Sequence, residues 1–248
     1  MDIDDILSSL SPAQDPSLTD LHLLTRAWTT ERLSPELLPY PSALIQRITT
    51  RLASQIARIE DLTSAMDPGS NFALVVIQTE LERVKFLLRS LLRTRLGKMD
   101  AFPIWYLGLA RGQVRGQGQE GVGNMGGGMD GDEGMDGQGV EKSPLLSEME
   151  MRYLEHHTAL LEGHYKSSFL GAFPGQLQKM DDTGGGVSMV DQPDLDTAVF
   201  VRVLRDAGTV EVQGEQGVGE VELKRGDVWV LRWRVVREGV RRGDLEVI

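Results

Sequence analysis

Residues 72–98, FALVVIQTELERVKFLLRSLLRTRLGK, carry the strongest helical pattern in the chain. Apolar residues recur there at intervals of three and four, the spacing that places side chains on one face of an α-helix. This face comprises Leu74, Ile77, Leu81, Val84, Leu88, Leu91 and Leu92. Phe86 and Leu87 widen it, so we expect the helix to cover more than one partner surface. The stretch predicts a long helix that serves assembly.

Basic residues follow another face of the same predicted helix. They are Arg83, Lys85, Arg89, Arg93 and Arg95. This face has three interpretations: contact with nucleic acid, simple solvation, or ion pairs with an acidic partner subunit, because arginine suits phosphates and interface carboxylates alike. Phosphate neutralisation supplies most of the affinity for DNA, so the net charge of −11 argues against a stand-alone DNA-binding domain. We therefore expect mainly protein contacts here, with DNA contact indirect or weak.

Three further stretches have helical spacing. A helix is predicted from Ser17, with Leu21, Leu24, Ala27 and Trp28 on one stripe. A second runs from about Pro41 to Met66, and a third from about Ser147 to Leu170. Ser147 and Glu150 have the spacing of a capping box, in which each residue bonds the backbone N–H of the other. Residues 17–107 and 142–181 are thus predicted to form one α-helical domain.

Residues 108–141 interrupt this pattern. Thirteen of these 34 positions are glycine, with scattered acidic residues and glutamine. Such a stretch buries too little apolar area to offset its ordering entropy, so it is predicted to be a disordered loop.

The period changes to two after a glycine run at 184–186. Strands are predicted at Thr197–Leu204, Val210–Val212, Val218–Leu223 and Val228–Val235. Leu245, Val247 and Ile248 are expected to be buried as a last strand. Residues 193–248 should form a small β domain after a linker at 182–192. The predicted fold is mainly α, an N-terminal helical bundle domain followed by a short C-terminal β-rich domain.

Motifs for catalysis, cofactors or metals are weak throughout. Gly116-x-Gly118-x-x-Gly121 has no strand before it and no helix after it, as a dinucleotide site requires. The acids from Asp130 to Glu141 match a calcium loop only in part, because Met135 stands where the turn glycine belongs. The chain has no cysteine, and His156, His157 and His164 alone make a poor metal site. We expect a protein without catalytic activity, cofactor or membrane span.

The first ten residues, MDIDDILSSL, form an acidic and apolar tail within a flexible segment at 1–16. Ile3, Ile6, Leu7 and Leu10 fall at helical spacing, although the segment is too short for a stable isolated helix. Asp4 and Asp5 followed by Ile6 and Leu7 are consistent with a frayed helix start. They are equally typical of a peptide that inserts as a helix into a partner's groove.

Several motifs, in order along nearly the whole chain, resemble those of one family. The resemblance is to subunits of the Sld-five type in the GINS complex, part of the eukaryotic replicative helicase. The motifs are Leu24-x-x-Ala27-Trp28, Pro35-Glu36-Leu37-Leu38, Glu80-Leu81-Glu82-Arg83-Val84-Lys85, Arg89-Ser90-x-Leu92-Arg93-x-Arg95-Leu96, Pro174-x-x-Leu177-Gln178-Lys179-Met180-Asp181, Pro193-Asp194-Leu195-Asp196, Lys224-Arg225-Gly226-Asp227 and Gly243-x-Leu245-x-Val247-Ile248.

This resemblance implies a nuclear, non-catalytic scaffold subunit. It implies a heterotetramer with three sister GINS subunits, which joins the MCM helicase ring and the helicase co-activator to form the active helicase. The basic helix would lie between subunits. Asp4, Asp5, Ile6 and Leu7 resemble a fungal motif that docks on the trimeric adaptor of polymerase alpha. The chain departs from the family at 108–141, where the usual link is shorter.

Overall fold

The structure is a computed structural model that describes residues 16–64, 68–111, 145–175, 178, 180, 190–214 and 217–248. They divide into two compact units. The first combines the chain up to Leu96 with Asp194–Ile248, and the second is Gly97–Pro193. Helices dominate the chain before a small C-terminal β domain, so the predicted fold class is confirmed.

Long helices occupy most of the described chain before residue 170. They are α1 (Pro16–Leu33), α2 (Ser42–Ser64), α3 (Asn71–Ala101), α4 (Pro103–Ala110) and α5 (Glu148–Ser168), with short 3-10 turns at Pro68–Ser70 and Leu170–Ala172. Among the described residues, no helix combines the length and the apolar character needed to cross a bilayer.

Helices α1, α2 and the middle of α3 share a core in the first unit. Leu24, Ile48, Leu87 and Leu91 are its buried centre, and Leu21, Trp28 and Val84 are among the residues packed around them. The helical period of α3 explains this, since its positions three and four apart meet the other two helices. The predicted helix at 72–98 is confirmed and extends a turn further.

The second unit contains α4 and α5. Pro103 begins α4, where its missing N–H costs no helical hydrogen bond. Ser147 caps α5, with its Oγ accepting from the Glu150 N–H at 3.2 Å and Glu150 Oε2 accepting from the Ser147 N–H at 2.9 Å. The predicted capping box is confirmed. The loop predicted from 108 is wrong at its start, because residues 108–110 complete α4 and Gly108 is buried there.

The β domain has a three-stranded antiparallel sheet and a hairpin. Strands β1 (Ala198–Val203), β4 (Val228–Arg232) and β5 (Leu245–Val247) form the sheet, with β1 in the middle, and β2 (Gly208–Gly214) pairs with β3 (Gly217–Leu223). Alternation along β1 buries Val199, Val201 and Val203 while Phe200 and Arg202 face outward. The buried residues form one core with Trp233 and Leu245.

The strand predicted at Val228–Val235 is wrong in its second half. It ends at Arg232, and Trp233–Arg242 form a helix, α6. Trp233, Val236 and Val240 recur at helical spacing and pack on the sheet core. Gly243 ends α6 in the left-handed conformation, with φ 81°, which glycine adopts without steric cost. The β-branched residues at its start obscured this helix in the sequence.

Candidate assembly surfaces

The predicted basic face of α3 separates into residues with different surroundings. Arg89 and Arg93 are exposed, and neither forms an ion pair with any residue that the structure describes. Lys85 is partly buried, and its Nζ lies 3.0 Å from Glu82 Oε1 one turn away. Arg83 is also exposed and has no ion pair with a described residue, so Arg83, Arg89 and Arg93 remain the candidates for contact with a partner.

Arg95 does not belong to this surface, which corrects its prediction as an inter-subunit residue. Its side chain is fully buried, with Nη1 3.0 Å from Glu31 Oε2 and 2.7 Å from the Leu38 carbonyl oxygen that accepts its hydrogen bond. The guanidinium also lies 5.3 Å from the centre of the Tyr40 ring, a cation–π distance. Arg95 thus stabilises this chain's own fold.

The sequence contained a signal for this burial. Arg95 lies four residues after Leu91 and four before Met99, both of which are buried. Positions four apart share a helix face, so the spacing places Arg95 on the apolar stripe. Its partner Glu31 lies 64 residues earlier on another helix, which local spacing could not reveal.

The connector between α1 and α2, residues 34–41, links the helices to the β domain within the first unit. Glu36 Oε1 lies 3.1 Å from Arg241 Nη2, and Glu36 Oε2 lies 3.8 Å from Arg237 Nη1, both on α6. Leu38 packs against the β-domain core. Because Leu38 also accepts a hydrogen bond from Arg95, the connector contacts both α3 and the β-domain core.

A second link joins α1 to the last strand. Arg26 Nη2 donates to the Leu245 carbonyl oxygen at 3.4 Å, and Arg26 Nε lies 3.6 Å from Glu246 Oε1. The β domain therefore packs on helices of its own chain in this structure. Sequence reasoning missed Arg26 and Glu36, because each acts through residues more than 190 positions away.

The C-terminal residues agree with the predicted buried strand at two of three positions. Leu245 and Val247 are each 2% exposed, whereas Ile248 is 40% exposed, so its predicted burial is wrong. Side chains alternate between the two faces of a strand, and residue 248 therefore lies on the face opposite Leu245 and Val247. The sequence spacing alone contained this distinction.

Among the described residues of the first unit, exposed apolar side chains form groups on α3 and on the sheet. The beginning of α3 presents Phe72, Val75 and Val76, which share one helix face. The outer face of the sheet presents Phe200 on β1 and Val230 on β4, which are directly opposite in the register. Groups of exposed apolar side chains of this kind are typical of protein interfaces.

In the second unit, Asp100 at the end of α3 has polar contacts with two residues of α5. Tyr153 Oη donates to Asp100 Oδ1 at 2.7 Å, and this hydrogen bond raises the pKa of Tyr153. His157 stacks on Tyr153 and has its Nε2 3.9 Å from the same carboxylate oxygen. Across the described residues, no three histidine, aspartate or glutamate side chains converge as metal ligands.

Some of the predicted features fall on residues outside the described ranges. These are the tail motif Asp4, Asp5, Ile6 and Leu7, the Gly116–Gly121 motif and the acids from Asp130 to Glu141. The tail motif and the glycine-rich loop from residue 112 onward therefore stay predictions.

Comparison with known families accounts for both parts of the chain. A model described as the GINS complex protein helical bundle domain matches residues 49–169, and one for the C-terminus of the DNA replication complex GINS protein SLD5 matches residues 193–248. The chain belongs to the SLD5 family of GINS proteins. The two matches cover the helical part and the β domain separately, in the order in which the structure shows them.

Curated members of the SLD5 family match over nearly their full length. The chain is 40% identical to a DNA replication complex GINS protein SLD5 of Chaetomium globosum, with all of both chains covered. It is 34% identical to the SLD5 protein of Yarrowia lipolytica, covering 100% of this chain and 85% of the relative. For the Schizosaccharomyces pombe protein the identity is 31%, with 100% and 99% covered.

Proposed function

We propose that this SLD5-family chain is a non-catalytic structural subunit of a heterotetrameric GINS complex. In this role it assembles with three sister subunits in the nucleus. The tetramer joins the MCM ring and its co-activator to form the active helicase that initiates replication and moves with the fork. Full-length similarity to proteins named as DNA replication complex GINS proteins supports this proposal.

The observation that carries the scaffold role is the exposed apolar surface of α3. Phe72 is 80% exposed and Val75 is 60% exposed, so the described residues of the first unit leave both largely uncovered. Fully burying an aliphatic or aromatic side chain of this size contributes about 1.5–3 kcal/mol. A partner that covers this face and contacts Arg89 and Arg93 would gain both apolar burial and ion pairs.

The tail motif at Asp4–Leu7 has a separate role in this proposal. It docks on the trimeric adaptor that connects the helicase to polymerase alpha. Its acidic and apolar residues suit a helix that inserts into an apolar groove with a basic rim. The tail and the α3 surface would then serve different partners.

A rival function is a nucleic-acid-binding domain that uses the basic residues of α3. The exposed guanidinium groups of Arg89 and Arg93 favour it. With Arg83, α3 has only three such exposed arginines, which neutralise few phosphates, and the net charge of −11 opposes approach to DNA. The scaffold role is the better supported of the two.

Native mass spectrometry after co-expression with the three candidate sister subunits tests the proposal. We expect one species that contains a single copy of each of the four chains. A chain that stays alone with all three partners present contradicts the scaffold role. Salt-dependent binding of a DNA duplex by the isolated full chain supports the rival instead.

A further inference from the structure

An apolar groove lies between α1, α2 and α3 in the first unit. Its walls include Leu18 and Leu21 of α1, Leu52 and Gln55 of α2, and Val84 of α3. Its volume, counted out to the open mouth and including the solvent there, is about 550 Å³. Leu18 is 56% exposed at this mouth, so the helices of the unit leave the groove incompletely covered.

The basic side chains of the groove point to an occupant that carries negative charge. Arg51 and Arg83 line the groove, and neither has an ion pair within the described part of the chain.

The acidic residues of the groove do not cancel this positive character. Asp20 already accepts hydrogen bonds from Arg47 Nη2 at 2.9 Å and Arg47 Nε at 3.1 Å. Glu80 is then the remaining carboxylate against Arg51 and Arg83. The groove is therefore apolar in its walls and cationic in balance.

We propose that this groove binds the chain's own N-terminal segment, Asp2–Leu10. The segment has Ile3, Ile6, Leu7 and Leu10 at helical spacing for the apolar walls. It has three aspartates and no lysine or arginine, which complements Arg51 and Arg83.

The N-terminal segment is covalently attached to α1, so it should occupy the groove more fully than a separate peptide of the same sequence. Leu10 ends the segment six residues before Pro16, where α1 begins, and at about 3.5 Å for each extended residue this tether reaches roughly 21 Å. A short tether gives an effective concentration in the millimolar range, so even weak intrinsic affinity fills the groove. The tail then binds in cis without a large interface.

Docking in cis has one regulatory consequence, which rests on the proposed function. A tail held in the groove is unavailable to the adaptor, so the two sites compete for Ile6 and Leu7. The adaptor must bind the tail more tightly than the groove does before it can recruit the chain. Changes that weaken the groove would raise the affinity of the full chain for the adaptor.

Cysteine cross-linking tests the inference on the full-length chain, because the sequence contains no other thiol. One variant combines Ser9→Cys in the tail with Glu80→Cys in the groove. The matched control combines Ser9→Cys with Ala57→Cys, an exposed position on the outer side of α2. A short bismaleimide is added, and intramolecular cross-linking is followed by intact mass and peptide mapping.

We expect the groove pair to cross-link several-fold faster than the control pair. Adding Ile6→Asp and Leu7→Asp should reduce the cross-linking rate of the groove pair to that of the control pair. Ser8→Asp, which adds a charge off the apolar stripe, should leave that rate unchanged. Equal rates for the two pairs would overturn the proposal, as would a groove rate that Ile6→Asp and Leu7→Asp leave unchanged.

Other occupants of the groove give different products in the same experiment. A cross-link at twice the chain mass identifies a second copy, and one to a co-purified protein identifies a partner subunit. Either product in place of the intramolecular one overturns docking in cis. Assembly with sister subunits is read from the stoichiometry of the same preparation, so failure of this inference and failure of the proposed function are distinguishable.

Discussion

Arg95 of α3 and Glu31 of α1 form a buried ion pair, with Nη1 3.0 Å from Oε2 and both side chains at most 3% exposed. Glu31 also lies near the connector, whose Leu38 N–H is 3.5 Å from Glu31 Oε1. The pair therefore fixes α1, α3 and the connector together. The fold is stable only when both charges of this pair are present, because a buried charge that loses its counter-charge is strongly destabilising.

Replacing Glu31 by glutamine should destabilise the chain by about 3–5 kcal/mol, because the buried guanidinium loses its carboxylate. Urea unfolding of the full chain measures the loss. Glu82→Gln removes the carboxylate facing Lys85 on the surface and should cost less than about 1 kcal/mol. Equal effects for the two variants would contradict a structural role for the buried pair. Glu31→Leu combined with Arg95→Met should recover part of the stability.

Gly239 of α6 is expected to tolerate no larger residue. A Cβ at this position would lie 2.6 Å from Leu245 Cδ1 and 2.9 Å from Leu245 Cγ. Leu245 is buried and cannot move freely, so Gly239→Ala should cost about 1–3 kcal/mol through overpacking. Gly97→Ala in α3 meets nothing within 4 Å and should stabilise by up to about 1 kcal/mol. If thermal unfolding gave Gly239→Ala a higher unfolding temperature than Gly97→Ala, the result would contradict this packing.

The last strand should depend on two of its three apolar residues. Leu245→Ala removes a buried side chain and should cost about 2–5 kcal/mol, whereas Ile248→Ala should cost less than about 1 kcal/mol. Ending the chain at Gly243 should abolish both the β-domain fold and assembly, because it removes the last strand and with it the contacts of Arg26 to Leu245 and Glu246. An intact complex after that truncation, on gel filtration, would refute the structural role of β5.

Local periodicity accounts for the parts of this fold that the sequence predicts well. The helical spacing of α3 and the alternation of β1 each reflect one buried face, which local sequence records. The helical period of α3 places Arg95 on the buried face, and the period of two in the last strand places Ile248 on the exposed face. The connector contacts of Glu36 and the groove at Gln55 depend on residues distant in sequence, so no local pattern could predict them.

The exposed arginines of α3 should contribute to assembly. Reversing Arg89 and Arg93 to glutamate places two negative charges where we propose an acidic partner surface, and like charges across an interface cost affinity. We expect less tetramer on gel filtration after co-expression, with any change in DNA affinity smaller. Arg58→Glu, an exposed reversal on α2, serves as the control. An undiminished tetramer peak would count against an inter-subunit role for these residues.

The tail motif should separate adaptor binding from assembly. A triple variant replaces Asp5, Ile6 and Leu7 by alanine. It removes the apolar anchors and one acid from a segment that we expect to add no contact to the tetramer. Binding to the trimeric adaptor should be lost in a pull-down, while native mass spectrometry still finds four subunits. Ser8→Ala with Ser9→Ala, which leaves every apolar and acidic position intact, should bind as the unaltered chain does. If the adaptor captured the triple variant as well as the unaltered chain, the adaptor role would be contradicted. The scaffold role would be unaffected, because the two roles depend on different surfaces.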